Sequence, residues 1–188
     1  YDFDYDNIGN RTTYSDAGVA TTYAANQLNQ YTAVTGLPAP TYDADGNMTL
    51  MPSASGDWTL TWNAENRLAA AESATTRLEF TYDYQGRRIE KKASIGGAGN
   101  WTLQSHEKFI YDGWNLVATL DATDGNAVVK TYTWGLDLSQ SPQAAGGVGG
   151  LLAVAEHDST GSETHYATYD ANGNISEYLD QTGAIAAH

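Results

Sequence analysis

The sequence predicts an all-β protein built from consecutive antiparallel β-hairpins. Three observations carry that prediction. The composition suits strands and turns: 188 residues include 13 Tyr, 5 Trp and 19 Gly, beside many Thr, Asn and Asp. An aromatic residue followed by a turn phrase recurs at a step near 20 residues. Between those phrases, apolar and polar residues alternate with the period of two that marks a strand.

The elements follow from the repeat. Tyr5 in FDYDNIGNR, Tyr23 in TTYAANQL, Tyr42 in PTYDADGN, Trp62 in LTWNAENRL and Tyr82 in FTYDYQGRR each close a strand before a turn, at steps of 18, 19, 20 and 20 residues. Tyr111 in FIYDGWNLV and Tyr132 in KTYTWGLDL follow at 29 and 21 residues. The longer step contains SIGGAGN (Ser94–Asn100), read as an enlarged hairpin loop. Within one unit, Leu78, Phe80 and Tyr82 alternate with Glu79, Thr81 and Asp83. DYQG then turns the chain, with Gly86 free to take positive φ, and Arg87 to Ala93 returns as the second strand. Trp58, Leu60 and Trp62 share a face in the same way, with NAEN as their turn. The Asp or Asn after each aromatic can bond its side chain to backbone two residues on, which starts the turn. The Ala-rich stretch Glu65–Phe80 tempts a helical reading, but the repeat assigns it to a return strand and the next outgoing strand.

Charge and composition restrict function. At 41% hydrophobic and 17% charged residues, the chain is globular rather than disordered. A formal net charge of −14 repels phosphate backbones and anionic lipid surfaces, so neither nucleic acid nor membrane insertion is expected. No apolar run reaches the roughly 18–20 residues of a membrane-spanning helix. There is no Cys, hence no disulfide framework and no thiolate chemistry. The chain begins at Tyr1 without Met or signal peptide and reads as a piece of something longer or a processed product.

Residues with chemical potential each have a simpler explanation. In DADGN, Asp43, Asp45 and Asn47 alternate like the opening of an EF-hand loop, but the twelfth position is Ala54 where that loop needs a bidentate Glu. Counting from Asp170, it is Gln181. DSTG (Asp158–Gly161) and DQTG (Asp180–Gly183) are near-misses to an aspartic-protease loop, and the repeat explains both as turns. His157, Asp158 and Ser159 are adjacent, so in a strand they point to alternate faces rather than converging as a triad. The Gly-rich stretch Ala144–Val154 matches no phosphate-loop pattern and reads as structural. The aromatic stripe could stack on glycans; cross-strand ladders are the favoured reading.

The phrases YDNIGNR, YDADGNM, WNAENRL, YDYQGRRIEK and YDANGNI resemble the YD repeats of the RHS family of large bacterial secreted and surface proteins. YTWGLDLSQSPQAAGGVGGLLAV (Tyr132–Val154), with YDANGNISEYLDQTGAIAAH after it, is similar to that family's repeat-associated core. The resemblance implies a spiralling YD-repeat sheet forming a hollow shell or tube segment, as in polymorphic toxins, the C components of insecticidal toxin complexes, and the teneurin barrel. The family's core continues into a self-cleavage region that has no counterpart before His188.

The combined expectation is a non-enzymatic structural segment, with residues 1–134 as YD-type repeats and 135–188 as an incomplete core-like segment. It is expected to be secreted or on a bacterial cell surface. Its partners would be neighbouring repeats of the parent chain or identical chains through open strand edges, and a cargo or toxin domain that the shell encloses or displays. No catalytic residue, cofactor or metal ligand is assigned. The alternative is a self-assembling, filament-forming or adhesive module that binds glycan. An enzyme, as an autoprotease or glycosidase remnant, ranks last.

Overall fold

The computed structural model describes residues 1–187 and contains strands and turns, with no helix among the described residues. The 17 strands are β1 (Asp2–Tyr5), β2 (Arg11–Asp16), β3 (Val19–Ala25), β4 (Tyr31–Val34), β5 (Thr41–Tyr42), β6 (Met48–Met51), β7 (Trp58–Trp62), β8 (Leu68–Glu72) and β9 (Thr76–Tyr82). They continue as β10 (Arg88–Gly97), β11 (Asn100–Asp112), β12 (Asn115–Asp121), β13 (Ala127–Trp134), β14 (Leu151–Asp158), β15 (Gly161–Tyr169), β16 (Ile175–Leu179) and β17 (Ile185–Ala187). Strand order within each sheet is chain order, so the fold is a succession of antiparallel hairpins, as the repeat requires. Glu65–Phe80 forms β8 and β9, and the helical temptation is resolved in favour of strands.

The chain divides into two compact units, Tyr1–Glu79 with Ala93–Thr102, and Phe80–Lys92 with Leu103–His188. In the first unit, β1 to β4 form a four-stranded sheet. Its aromatic residues meet across strands: Phe3 stacks on Tyr14 at 5.2 Å, and Tyr23 packs tilted against Tyr31 at 5.5 Å between centroids. The Arg11 guanidinium lies 5.0 Å from the Phe3 ring and 5.6 Å from Tyr23. The second unit repeats the device, with Arg88 5.4 Å from both Phe80 and Phe109. Alternation in the sequence predicts the aromatic ladders but not the arginines between their rungs.

The turn phrases form a recurring corner. Asp43 Oδ1 accepts the backbone N–H of Asp45 at 3.0 Å and of Asn47 at 2.8 Å, while Asn47 Nδ2 donates to Asp43 Oδ2 at 3.0 Å. The backbone closes the corner twice, from Asp43 N to Asn47 O and from Gly46 N to Asp43 O. Asp6, Asn26, Asn63, Asp83 and Asp170 accept the same pair of backbone N–H groups. The fourth corner residue takes positive φ and is Gly46 at 89° in one corner, Asn66 at 58° in another. An L residue rarely adopts that conformation unless its side chain is short and polar. Each such corner adds one residue on one strand, seen as the register shift between Thr41 and Tyr42.

SIGGAGN differs from expectation. Instead of an enlarged loop, it lengthens β10 and β11 and turns tightly at Ala98 (φ 50°) and Gly99 (φ 85°). Two successive positive φ values match the right-handed twist of the flanking strands, so extra residues extend the hairpin rather than loosening it.

Few side chains are fully buried. Among the described residues the buried apolar ones are Ala71, Leu151 and Ala153, and the buried polar ones are Ser94, Asn115, Thr119 and Asp137. Each unit is therefore held by strand-to-strand contacts more than by a thick apolar core, the pattern of quasi-one-dimensional repeats.

Candidate functional site

A concavity lies on one face of β13 to β17 in the second unit. It encloses about 390 Å³ and is lined chiefly by Lys130, Tyr132, Val154, Glu156, His165 and Tyr178. Register explains why these residues meet. Tyr132 pairs with Val154 and Val154 with His165, so the three form one row across β13, β14 and β15. Lys130, Glu156 and Glu163 form the next row on the same face, two residues along. Tyr178 pairs with Ala167, two residues from His165, and Ala186 and Ala187 of β17 line the far side beyond it. The row across β13 to β15 of this trough is thus large, small, medium, and Tyr178 stands diagonally beyond His165 on β16, three strands or roughly 14 Å of sheet width from Tyr132.

Its electrostatics are self-compensating. Lys130 Nζ is paired with Glu156 Oε1, and the shared hydrogen bond raises the lysine's pKa and lowers the glutamate's. His165 Nε2 lies 3.3 Å from Glu163 Oε1. The Tyr132 hydroxyl is 3.4 Å from Thr119 Oγ1, which turns its polar tip to the wall and leaves its ring beside the trough. Such a trough can present aromatic faces and alternating donors and acceptors. A phosphate would have to compete with Glu156 for Lys130 amid surrounding carboxylates.

The residues singled out from sequence fall as follows. Asp43 uses both carboxylate oxygens inside its own corner, and Asp45 is exposed. Asp158 accepts from Thr160 N, Thr160 Oγ1 and Gly161 N, and Asp180 does likewise from Thr182 and Ala184, so each holds its own turn. His157 faces Thr131 Oγ1 at 2.9 Å while Asp158 faces Thr160, and no triad converges. Among the described residues, no group of three or more His, Asp or Glu is placed to hold a metal ion.

The Gly-rich stretch folds around Asp137, a residue that sequence reasoning missed. Asp137 is 2% exposed and accepts from Ser139 N and Oγ, Ala145 N and Gly147 N. The Ser139 hydroxyl, then the backbone N–H groups, lower its pKa to about 2 against the opposing effect of burial. The only sequence signal is an Asp-x-Ser ahead of clustered glycines. Gln143 then ties this loop to the preceding hairpin, accepting from Trp114 N at 2.9 Å and donating to Asp112 O at 2.8 Å.

The geometry defines a class: an all-β hairpin array with carboxylate-capped corners and a shallow mixed trough. No family model matches the chain. It is 31% identical over 193 residues to the tRNA3(Ser)-specific nuclease WapA of Bacillus spizizenii, covering 99% of this chain and 7% of that protein. It is 32% identical over 190 residues to the tRNA nuclease WapA of Bacillus subtilis strain 168, covering 92% of this chain and 7% of that protein. The tRNA(Glu)-specific nuclease WapA of Bacillus subtilis subsp. natto is 30% identical over 161 residues, covering 79% of this chain and 6% of that protein. The chain thus spans about 7% of the length of the first two relatives.

These comparisons correct the expectations from sequence. The expected membership of the RHS/YD-repeat family is overturned, since no family model matches and the relatives found are named WapA nucleases. The expected non-enzymatic shell or filament segment is overturned with it, because the similar proteins are named as enzymes. The repeat phrases behind those expectations report on one short stretch, while the names describe proteins many times longer.

Proposed function

We propose that this chain is a segment of a tRNA-cleaving protein of the kind its relatives' names describe. The observation that carries the reading is similarity sustained over 99% of the chain at 31% identity. Within that protein, we place the tRNA-contacting surface outside residues 1–188. Holding a polyanion needs unpaired Lys and Arg, whereas this segment has a net charge of −14 and its trough lysine is paired with Glu156.

The test uses the full-length protein that contains the segment, incubated with total tRNA. Discrete tRNA fragments are the expected result; intact tRNA under all ionic conditions sinks the reading. Photo-crosslinking of the same protein to tRNA tests the second part. Crosslinked peptides should come from outside the segment, and crosslinks within β13 to β16 would move the contact surface into it.

A further inference from the structure

We infer that the trough on β13 to β17 is a binding site for a neutral oligosaccharide. The inference does not depend on the nuclease reading; it rests on the trough's shape and chemistry. Tyr132 and Tyr178 rise on either side of Val154 and His165, so a ligand of moderate width can lie between two aromatic rings. Pyranose rings present apolar C–H faces, which pack on aromatic faces, and an equatorial fringe of hydroxyls, each both donor and acceptor. Polar groups flank the tyrosines: the Lys130 ammonium and the Glu156 carboxylate lie in the row next to Tyr132, and the His165 imidazole, with Glu163 near it, lies in the row of Tyr132 itself. Few well-placed polar groups on a largely apolar concave wall are what orient a small ligand.

Charge selects the ligand class. The cation and the nearest carboxylate on this face neutralise each other, and the whole segment is strongly acidic. Anionic ligands, including nucleic acid, meet net repulsion, and a cationic ligand would have to displace Lys130 from Glu156. A neutral polyol meets neither obstacle. Hydroxyl groups can bridge the Lys130–Glu156 pair without breaking it, because the pair is exposed on one side, at 43% and 52% of the side-chain surface.

Backbone amide NMR of the 188-residue chain tests this with maltotriose, chitotriose and, separately, total tRNA. Saturable shifts confined to residues around Tyr132, Val154, His165 and Tyr178 are expected with at least one of the two sugars. Tyr178→Ala should weaken that binding by about tenfold, while Tyr178→Phe, which keeps the ring, should retain it. The Phe variant also separates lost stacking from lost folding. No shifts with either sugar, shifts mapping elsewhere, or trough shifts produced by tRNA alone would each overturn the inference.

Discussion

Trp134 donates its indole N–H to the carbonyl oxygen of Leu116 at 2.7 Å. Leu116 is the second residue of β12, just after the Gly113–Trp114 turn, and Trp134 ends β13. The same relation joins Trp62 to Met48 at 2.7 Å, Tyr111 to Arg88 at 2.9 Å and Tyr42 to Tyr31 at 3.0 Å. Tyr169 donates likewise to Leu151. In each case an aromatic at or next to the end of one strand donates to a carbonyl at the start of the strand before it. The repeat is written with Tyr or Trp, rather than Phe, because a polar tip is required.

Removing that tip alone should therefore cost stability. Tyr42→Phe and Tyr169→Phe each leave a part-buried carbonyl without its donor, a loss of about 1 kcal/mol per bond. Urea denaturation should show a lowered midpoint for both variants. Tyr84→Phe, at a ring 87% exposed, serves as the control and should not move it. Equal midpoints for all three would mean that the hydroxyl bonds contribute nothing beyond ring packing.

The corners give a second measurement. Gly183 has φ 84°, and a Cβ added there would have nothing within 4 Å, so Gly183→Ala meets only the backbone penalty, about 1 kcal/mol. Gly173 has φ 79°, and a Cβ there would lie 2.9 Å from both Leu138 Cδ1 and Val148 Cγ1. Gly173→Ala should lower the thermal midpoint by more than Gly183→Ala, because the loop around Asp137 must shift as well. A larger effect at Gly183 would contradict the close packing of Leu138 and Val148 on that corner.

Asp137 ties loop stability to pH. Its folded pKa, about 2, lies below the ordinary value of 3.8, so the carboxylate contributes fully above that ordinary value. The contribution is lost as pH falls toward about 2. The corner carboxylates Asp6, Asp43 and Asp170 are also lowered, first through the side-chain bonds from Asn10, Asn47 and Asn174, and act in the same direction. At Asp83 burial pushes upward, and the bonds from Arg87 and the backbone overcome it. Amide hydrogen exchange at neutral pH should show Ala145 and Gly147 about tenfold less protected in Asp137→Asn, since the neutral amide is a weaker acceptor. In wild-type protein the same amides should lose protection, after correction for intrinsic rates, between about pH 4 and pH 2. Protection independent of both changes would show that the loop does not hang on this carboxylate.

The corners are legible in the sequence because each is local: Asp43, Gly46 and Asn47 complete their bonding within five positions. Strand alternation is legible for the same reason. What escapes is long-range or unrepeated. Lys130 and Glu156 meet across 26 residues, and only register brings them together. Asp137 occurs once, so no period announces it. The repeat picks Tyr132 as the strand-closing anchor of its unit, whereas Trp134 makes the inter-hairpin bond. Two aromatics two residues apart share a face, and periodicity cannot rank them. Function is least legible, since a segment of this size need not hold the chemistry for which a much longer relative is named.

The trough's ion pair sets a last expectation. Lys130 and Glu156 are drawn together strongly enough to shift both groups, the lysine upward and the glutamate downward, through their shared hydrogen bond. Yet both side chains are more than a third exposed, and water and salt screen such a pair. A double-mutant cycle with Lys130→Ala and Glu156→Ala should return a coupling below about 1 kcal/mol that shrinks further in high salt. The glutamate's share is present above its ordinary pKa and fades as pH falls below it, while the lysine's share persists until pH rises through its raised value. A coupling that resists salt would require the pair to be shielded from water, and would remove the accessible polar edge on which sugar binding at this trough depends.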